Sequence, residues 1–359
     1  MRDAPSSTPP SPELGSCVAP GPGPSPLGAA DRDQRGAGLV DVGQIQAAAA
    51  RIRGRVVHTP LLEASWQPGL WLKPECLQHT GAFKIRGALN AVAQLSPAAR
   101  AGGVVTHSSG NHGRALARAA REAGVTAVVV MPEDSPTVKV EASRREGAEV
   151  VLVPAAQRAQ TARRLVAERG LTLVSSFDHH DVIAGQGTVG LEIVTDLPDV
   201  ATILVPVGGG GLASGVAVAA RALAPDARVV GVEPELAAEV AEGMREGRRL
   251  TWPVERTGQT VADGLRMGPS ELTWSHLYQL LDDVVTVSED AVIDAMRRVV
   301  LSARMVCEPT GAVALAAVTS GVVEVGAGPV VSVVSGGNVD REFLASVVAA
   351  GRADSVTAG

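Results

Sequence analysis

The feature that most constrains this fold is a regular alternation of short β-branched runs with stretches of helical period. Strand-like runs occupy residues 104–107, 126–131, 149–153 and 171–174. The segments between them are rich in Ala, Arg and Glu, and glycines stand where helices would end. This alternation is typical of βαβ units, and repeated units of this kind build a parallel sheet covered by helices.

A second series of the same kind follows. We predict strands at residues 202–207, 228–232 and 330–334, and helices at 188–195, 289–302 and 311–317. The chain is therefore predicted to form two α/β sheets with a cleft between them. Ligands of such folds bind beyond the carboxyl ends of the strands, so the loops that follow the strands are the candidate sites.

Composition excludes several classes of function. The 32 basic and 38 acidic side chains leave a formal charge of −6, which argues against a nucleic-acid partner. The apolar runs have strand length and fall short of a membrane span. Three separated cysteines and an N-terminus without a signal-like pattern favour a cytoplasmic protein. Eight prolines among the first 30 residues predict a disordered tail over residues 1–36.

Lys84 is the first candidate for chemistry. It stands between Phe83 and Ile85 in the segment Gly-Ala-Phe-Lys-Ile-Arg-Gly at residues 81–87. Apolar neighbours desolvate an amine, lower its pKa and make it a usable nucleophile or base. The alternative is a surface lysine whose stem packs against the start of a helix.

Four consecutive glycines follow the strand at 202–207 and open an apolar helix. They are Gly208, Gly209, Gly210 and Gly211. Backbone N–H groups at such a helix start can close around a phosphate. The same stretch matches a dinucleotide pattern, with Glu233 about 20 residues beyond it, so a nicotinamide-dependent oxidoreductase is an alternative.

Two further loops offer polar groups. Ser108, Ser109, Asn111 and His112 lie between a strand and a helix, where they can receive a carboxylate. Ser335 follows the strand at 330–334, and a hydroxyl there can meet a ring nitrogen, although a turn serine is the simpler interpretation.

Taken together, these stretches resemble the fold-type II pyridoxal-phosphate enzymes, and among them the serine/threonine dehydratase and serine racemase group. The matching segments are residues 73–87, 107–113, 181–190, 205–211, 231–234, 261–264 and 335–340. The resemblance implies a two-domain α/β fold like that of the tryptophan synthase β chain, each domain an open, mostly parallel sheet covered by helices. A large coenzyme-binding domain would comprise residues 37–73 and 178–350, and a small domain 74–177, with a flexible tail at 351–359.

The resemblance also implies roles for the candidate residues. Lys84 would bind pyridoxal 5'-phosphate as an imine, with Phe83 near the ring. The four glycines would hold the phosphate, Asn111 would bond the 3-hydroxyl, and Ser335 would face the pyridine nitrogen. Ser108, Ser109, Asn111 and His112 would bind the substrate carboxylate.

The implied reaction is β-elimination, which converts L-threonine or L-serine to 2-oxobutanoate or pyruvate plus ammonia. Racemisation of serine is the alternative, because Ser109 offers a hydroxyl on the face expected to lie opposite Lys84. A coenzyme-binding protein without catalysis is a third possibility. A homodimer or higher homo-oligomer is expected.

A cation site is also implied. The carboxylates of Glu233 and Glu239 and the carbonyl of Ala237 have the spacing found in metal-activated racemases. Oxygen ligands suit Mg²⁺ or Ca²⁺. An amphipathic helix start explains the same acids equally well.

Overall fold

A computed structural model describes residues 38–108, 110–135 and 137–350, without the side chain of Val138. The predicted tails at 1–36 and 351–359 lie outside the described residues, as does Ser109. The fold is α/β with two sheets, as the sequence predicts.

The smaller sheet has four parallel strands in the order β5-β4-β3-β6. These strands are β3 (Val104–Thr106), β4 (Ala127–Pro132), β5 (Glu149–Val153) and β6 (Thr172–Leu173). The helices that connect or cover them are α2 (Lys84–Ala93), α3 (Pro97–Gly102), α4 (Asn111–Glu122), α5 (Thr137–Arg145) and α6 (Arg158–Arg169). Buried valines and alanines fill the space between the sheet and its helices.

The larger sheet has six strands in the order β1-β2-β10-β7-β8-β9, and β1 alone is antiparallel to its neighbour. These strands are β1 (Leu62–Glu63), β2 (Leu70–Pro74), β7 (Thr202–Pro206), β8 (Arg228–Pro234), β9 (Asp283–Val287) and β10 (Val330–Val334). Two apolar clusters pack against its two faces.

Helices cover both faces of the larger sheet. They are α1 (Val42–Ile52), α7 (His180–Asp196), α8 (Gly211–Leu223), α9 (Glu239–Glu246), α10 (Val254–Thr257), α11 (Glu271–Leu280), α12 (Glu289–Leu301), α13 (Pro309–Thr319) and α14 (Arg341–Ala350). Short 3-10 turns occur at Glu75–Leu77, Ala155–Gln157 and Asp263–Leu265. In the part of the chain described, no helix is long and apolar enough to cross a membrane.

Helix α7 is longer than the sequence pattern predicts. We expected a helix at 188–195, whereas α7 begins at His180 and includes three glycines. These glycines permit close helix packing: a Cβ at Gly185 would lie 2.6 Å from the Cα of Gly87 on α2. The cost of glycine to helix propensity is therefore offset by packing that the local pattern does not show.

Three strands of the larger sheet were also missed: the two-residue strand β1, and strands β2 and β9. Strand β2 contains Lys73 and Pro74, which are not typical of a central strand. Strand β9 lies at the sheet edge and is only partly buried. The other predicted strands agree with the structure to within one or two residues at each end.

Candidate active site

The start of α2 is attached to the end of β10. The backbone N–H of Phe83 donates to the carbonyl of Ser335 at 3.1 Å, and that of Gly337 donates to Gly81 at 2.9 Å. An isolated bridge between Ala82 and Gly336 completes this contact. Lys84, the first residue of α2, is thereby held beside the loop that contains Ser335.

The amine of Lys84 lies in a desolvated position. Its Nζ donates to the carbonyl oxygen of Ser176 at 2.9 Å and lies 4.8 Å from the centre of the Phe83 ring. The residue is partly exposed, while the surrounding protein desolvates the ammonium and lowers its pKa to about 8. A substantial fraction of this amine is neutral near physiological pH, as a nucleophile or base requires.

Asn111 is held from two sides at the start of α4. Its Nδ2 donates to Oε1 of Glu308 at 2.6 Å, and its Oδ1 accepts from Nδ2 of Asn338 at 2.7 Å. Asn338 also donates to the carbonyl of Thr80 at 2.8 Å. These bonds leave one N–H of the Asn111 amide available to another partner.

Glu308 is a site residue that the sequence did not suggest. Burial raises the pKa of its carboxyl to about 8, with the nearby charge of Asp263 acting in the same direction. It comes just before Pro309 at the start of an apolar helix, where an acidic residue is ordinary. Its contacts with Asn111, 197 residues away, and with the carbonyl of Gly336 mark it as part of the site.

The side chain of His112 is not available to a carboxylate, so the predicted role of this residue in carboxylate binding depends on its backbone N–H. The ring is buried, and its Nε2 donates to the carbonyl of Val174 at 3.1 Å. Burial, then the charge of Lys84, lowers the pKa of this ring to about 3, so it is neutral and its Nδ1 is an acceptor. An acceptor cannot bind a carboxylate, which leaves only the backbone N–H at the helix start for that role. Ser108 is partly buried in the same loop.

The four glycines at 208–211, called here the glycine loop, connect β7 to α8 and fit a phosphate. Gly210 has a φ of +86°, which favours glycine. Neighbouring residues occupy the space into which Cβ atoms would project: a Cβ at Gly208 would lie 2.8 Å from the Cα of Leu265. The first N–H groups of α8 have no partner within the helix, and this is the usual anion-binding arrangement.

Ser335 is buried beside this region. Its hydroxyl donates to the carbonyl of Thr310 over a long 3.4 Å. Thr310 in turn accepts from the N–H of Gly264 at 3.0 Å and contacts Asp263 at 3.3 Å. Asp263 pairs with Lys139 on α5 at 3.1 Å. This ion pair connects helix α5 of the smaller sheet to the turn at Asp263–Leu265, which contacts the glycine loop through Leu265.

A buried group of four charged residues supports the first turn of α2. Arg86 donates to Glu75 at 2.7 and 2.8 Å and to Glu192 at 2.6 and 2.8 Å. Lys73 donates to Glu192 at 2.6 Å. Two cations and two anions balance, as burial of charge requires. Because Arg86 lies two residues after Lys84, this ion network fixes the helix turn that presents the amine.

The predicted cation ligands are partly engaged by backbone. The two carboxylate oxygens of Glu233 accept from the N–H groups of Val240 and Ala241 at 3.1 and 2.7 Å. Burial raises the pKa of Glu233 to about 8 and also raises that of Glu239. Among the described residues, no three His, Cys, Asp or Glu side chains converge as a metal site. The cation site remains a prediction.

The arrangement as a whole fits pyridoxal phosphate: an amine of lowered pKa, a glycine loop shaped for a phosphate and an asparagine with a free N–H. A model of the family described as pyridoxal-phosphate dependent enzymes matches residues 52–336. The chain belongs to this family. The coenzyme phosphate therefore replaces a dinucleotide as the expected ligand of the glycine loop.

The similar proteins include serine racemases and threonine ammonia-lyases. A serine racemase of Oryza sativa subsp. indica is 39% identical over 316 residues, which are 85% of this chain and 92% of that protein. An L-threonine ammonia-lyase of Geobacter sulfurreducens is 41% identical over 321 residues, 86% and 78% of the two chains. The structure of maize serine racemase superimposes with a TM-score of 0.81 and 36% identity, covering 88% of this chain and 99% of that one.

Proposed function

We propose that this protein is an ammonia-lyase that removes water and then ammonia from L-threonine or L-serine. The observation that carries the proposal is the amine of Lys84, which is desolvated, has a pKa near 8 and donates to the carbonyl of Ser176. Elimination needs one group that removes the proton from the substrate Cα, and a neutral buried amine is suited to that step.

Bound pyridoxal phosphate supplies a conjugated ring that spreads the negative charge developing at Cα. Lys84 would hold the coenzyme before the substrate arrives and, once released, accept the Cα proton. The proton that Lys84 has accepted would pass to the substrate β-hydroxyl, which leaves as water. Hydrolysis of the released product in solution gives 2-oxobutanoate from threonine or pyruvate from serine, with one ammonia.

The start of α4 is the proposed place of the substrate carboxylate. The backbone N–H groups of Asn111 and His112 are the first of that helix and have no partner within it. The positive end of the helix dipole favours an anion there. Asn111 would use its remaining amide hydrogen for the 3-hydroxyl of the coenzyme, with Glu308 and Asn338 fixing the amide orientation.

Ser335 would tune the reaction at the pyridine nitrogen. A serine hydroxyl, unlike an aspartate, does not hold a proton on that nitrogen, so the ring is a weaker electron sink. This favours expulsion of the β-hydroxyl over transamination.

Serine racemisation is the second candidate, and relatives of both names support keeping it. Racemisation needs a second proton-transfer group on the face opposite Lys84, and Ser109 is the residue proposed for it. We further propose that the protein is a homo-oligomer and lies in the cytoplasm. We also propose that Mg²⁺ or Ca²⁺ bound at Glu233, Ala237 and Glu239 activates it.

One experiment separates these functions. Purified holoenzyme is incubated with L-serine and, separately, L-threonine, and keto acid, ammonia and the D-enantiomer are all quantified. Keto acid and ammonia in equal amounts with little D-serine support the lyase. D-serine in excess over pyruvate supports the racemase instead of the lyase. Absence of both products favours a protein that only binds the coenzyme.

A further inference from the structure

The segment between β6 and α7 contacts both ends of the proposed coenzyme site. The carbonyl of Ser176 accepts from the amine of Lys84, and Phe177, the next residue, lies against the glycine loop. We propose that Phe177 is a positioning residue for coenzyme binding. Its ring fixes the shape of the glycine loop, and its backbone holds the carbonyl that orients the free amine.

The contact between Phe177 and the glycine loop is close. A Cβ at Gly209 would lie 2.5 Å from Cγ and 2.7 Å from Cε1 of the Phe177 ring. A Cβ at Gly211 would lie 2.9 Å from the Cβ and 3.0 Å from the Cα of the same residue. Phe177 therefore occupies the space above two of the four glycines, and a side chain at Gly209 is incompatible with the present position of the ring.

The segment that carries Phe177 is held by its own hydrogen bonds. The hydroxyl of Ser175 accepts from the N–H of Asp178 at 3.0 Å and from that of Phe177 at 3.4 Å. The N–H of His179 donates to the carbonyl of Phe177 at 3.1 Å, directly before α7 begins. These bonds hold the Phe177 ring and the Ser176 carbonyl in a fixed relation to each other. One short segment therefore contacts both the glycine loop and the amine of Lys84.

This inference rests on the coenzyme site proposed above, and it is independent of which amino acid is the substrate. It predicts that Gly209 must be glycine because of Phe177, in addition to any need for the phosphate to approach the backbone. If contact with Phe177 is the reason, Gly209→Ala becomes tolerable once Phe177 is replaced by alanine. If approach of the phosphate is the reason, Gly209→Ala weakens coenzyme binding equally in both backgrounds.

The test is a double-mutant cycle with pyridoxal phosphate as the probe. The dissociation constant of the coenzyme is measured by titration of the apoprotein for the wild type, Gly209→Ala, Phe177→Ala and the double variant. Gly209→Ala should weaken binding by about tenfold or more, the usual scale of an overpacked contact. In the Phe177→Ala background the same change should cost about twofold or less. An equal penalty in both backgrounds contradicts the proposal.

Two further variants separate positioning from folding. Asp178→Ala, at an exposed position on the same segment, keeps the backbone and should leave the dissociation constant unchanged. Phe177→Leu keeps an apolar side chain and should weaken binding less than Phe177→Ala does, with a matching slower reaction of Lys84 with the coenzyme. Circular dichroism defines the temperature at which each variant is folded. If Phe177→Leu and Phe177→Ala both bind the coenzyme as tightly and as fast as the wild type, Phe177 has no positioning role.

Failure of this inference is distinct from failure of the proposed function. A protein that binds the coenzyme as predicted but forms no keto acid from serine or threonine removes the lyase proposal alone. A protein with full lyase activity and no coupling between Phe177 and Gly209 removes this inference alone.

Discussion

The backbone N–H of Phe83 donates to the carbonyl of Ser335 at 3.1 Å, which joins the residue before Lys84 to the residue proposed to face the pyridine nitrogen. These positions are about 250 residues apart in the sequence. Together with the bond from the N–H of Gly337 to Gly81, it links the start of α2 to the end of the central strand β10. The positions of Lys84 and Ser335 relative to each other are therefore supported by backbone hydrogen bonds.

The reaction of Lys84 with the coenzyme should depend on pH with a midpoint near 8. Only the neutral amine attacks an aldehyde, and burial lowers the pKa of Lys84 from 10.5 to about 8. The rate at which apoprotein recovers the coenzyme absorbance should therefore rise between pH 7 and 9, about one unit either side of this pKa, and then level off. A rate that continues to rise beyond pH 10 would indicate a solvated lysine.

The same pKa has a consequence for the stability of the apoprotein. Between about pH 8 and 10.5 the unfolded chain holds a proton on Lys84 that the folded chain lacks. The contribution of Lys84 therefore makes the free energy of unfolding increase as pH rises through this interval. Lys84→Met should remove this increase. Urea unfolding of both proteins at pH 7.5 and 9.5 measures the difference. Equal pH dependence in the two proteins would refute the assigned burial.

Arg86 should be important for stability as well as for coenzyme binding. Arg86→Met leaves two buried carboxylates with fewer partners, and breaking such a pair costs about 3 to 5 kcal/mol. Arg86→Lys keeps the charge but loses the paired hydrogen bonds, so its loss should be smaller. Met296→Ala, at a buried position on α12, is a control of comparable instability. Coenzyme affinity measured on folded protein should fall for the Arg86 variants and not for the control.

Ser335→Asp should change the course of the reaction. A carboxylate at this position would hold a proton on the pyridine nitrogen and strengthen the electron sink. We expect slower keto acid formation, by about tenfold, which corresponds to about 1.4 kcal/mol in the barrier. The pyridoxamine form of the coenzyme should accumulate, and its absorbance reports it. Unaltered partition between elimination and transamination would show that the side chain at 335 does not act on the ring.

Ser109→Ala should abolish formation of D-serine and spare formation of pyruvate. Elimination requires only the Lys84 face, whereas inversion at Cα requires a proton donor on the other face. Both products are measured from L-serine with the same enzyme preparation. Equal loss of the two activities would exclude a role for Ser109 specific to racemisation.

Local sequence indicates candidates for the chemical core of the site but leaves alternatives open. Lys84 among apolar residues could also be a surface lysine, and the four glycines after a strand could also bind a dinucleotide. The resemblance of several segments to one enzyme family selects between these alternatives. The contacts between Asn111, Glu308 and Asn338 could not be predicted, because each residue is ordinary in its own segment and the contacts form only when β10, α4 and α13 meet. The same holds for Phe177, whose role depends on a loop more than 30 residues away.

Lys84 is the lysine proposed to form the covalent bond to pyridoxal phosphate. The chain has three lysines, and the structure engages Lys73 with Glu192 and Lys139 with Asp263. Borohydride reduction of the holoenzyme, followed by digestion and mass spectrometry, locates the bond. We expect a pyridoxyl group on the peptide that contains Lys84. A pyridoxyl group on Lys73 or Lys139, or on no lysine, would contradict this role of Lys84.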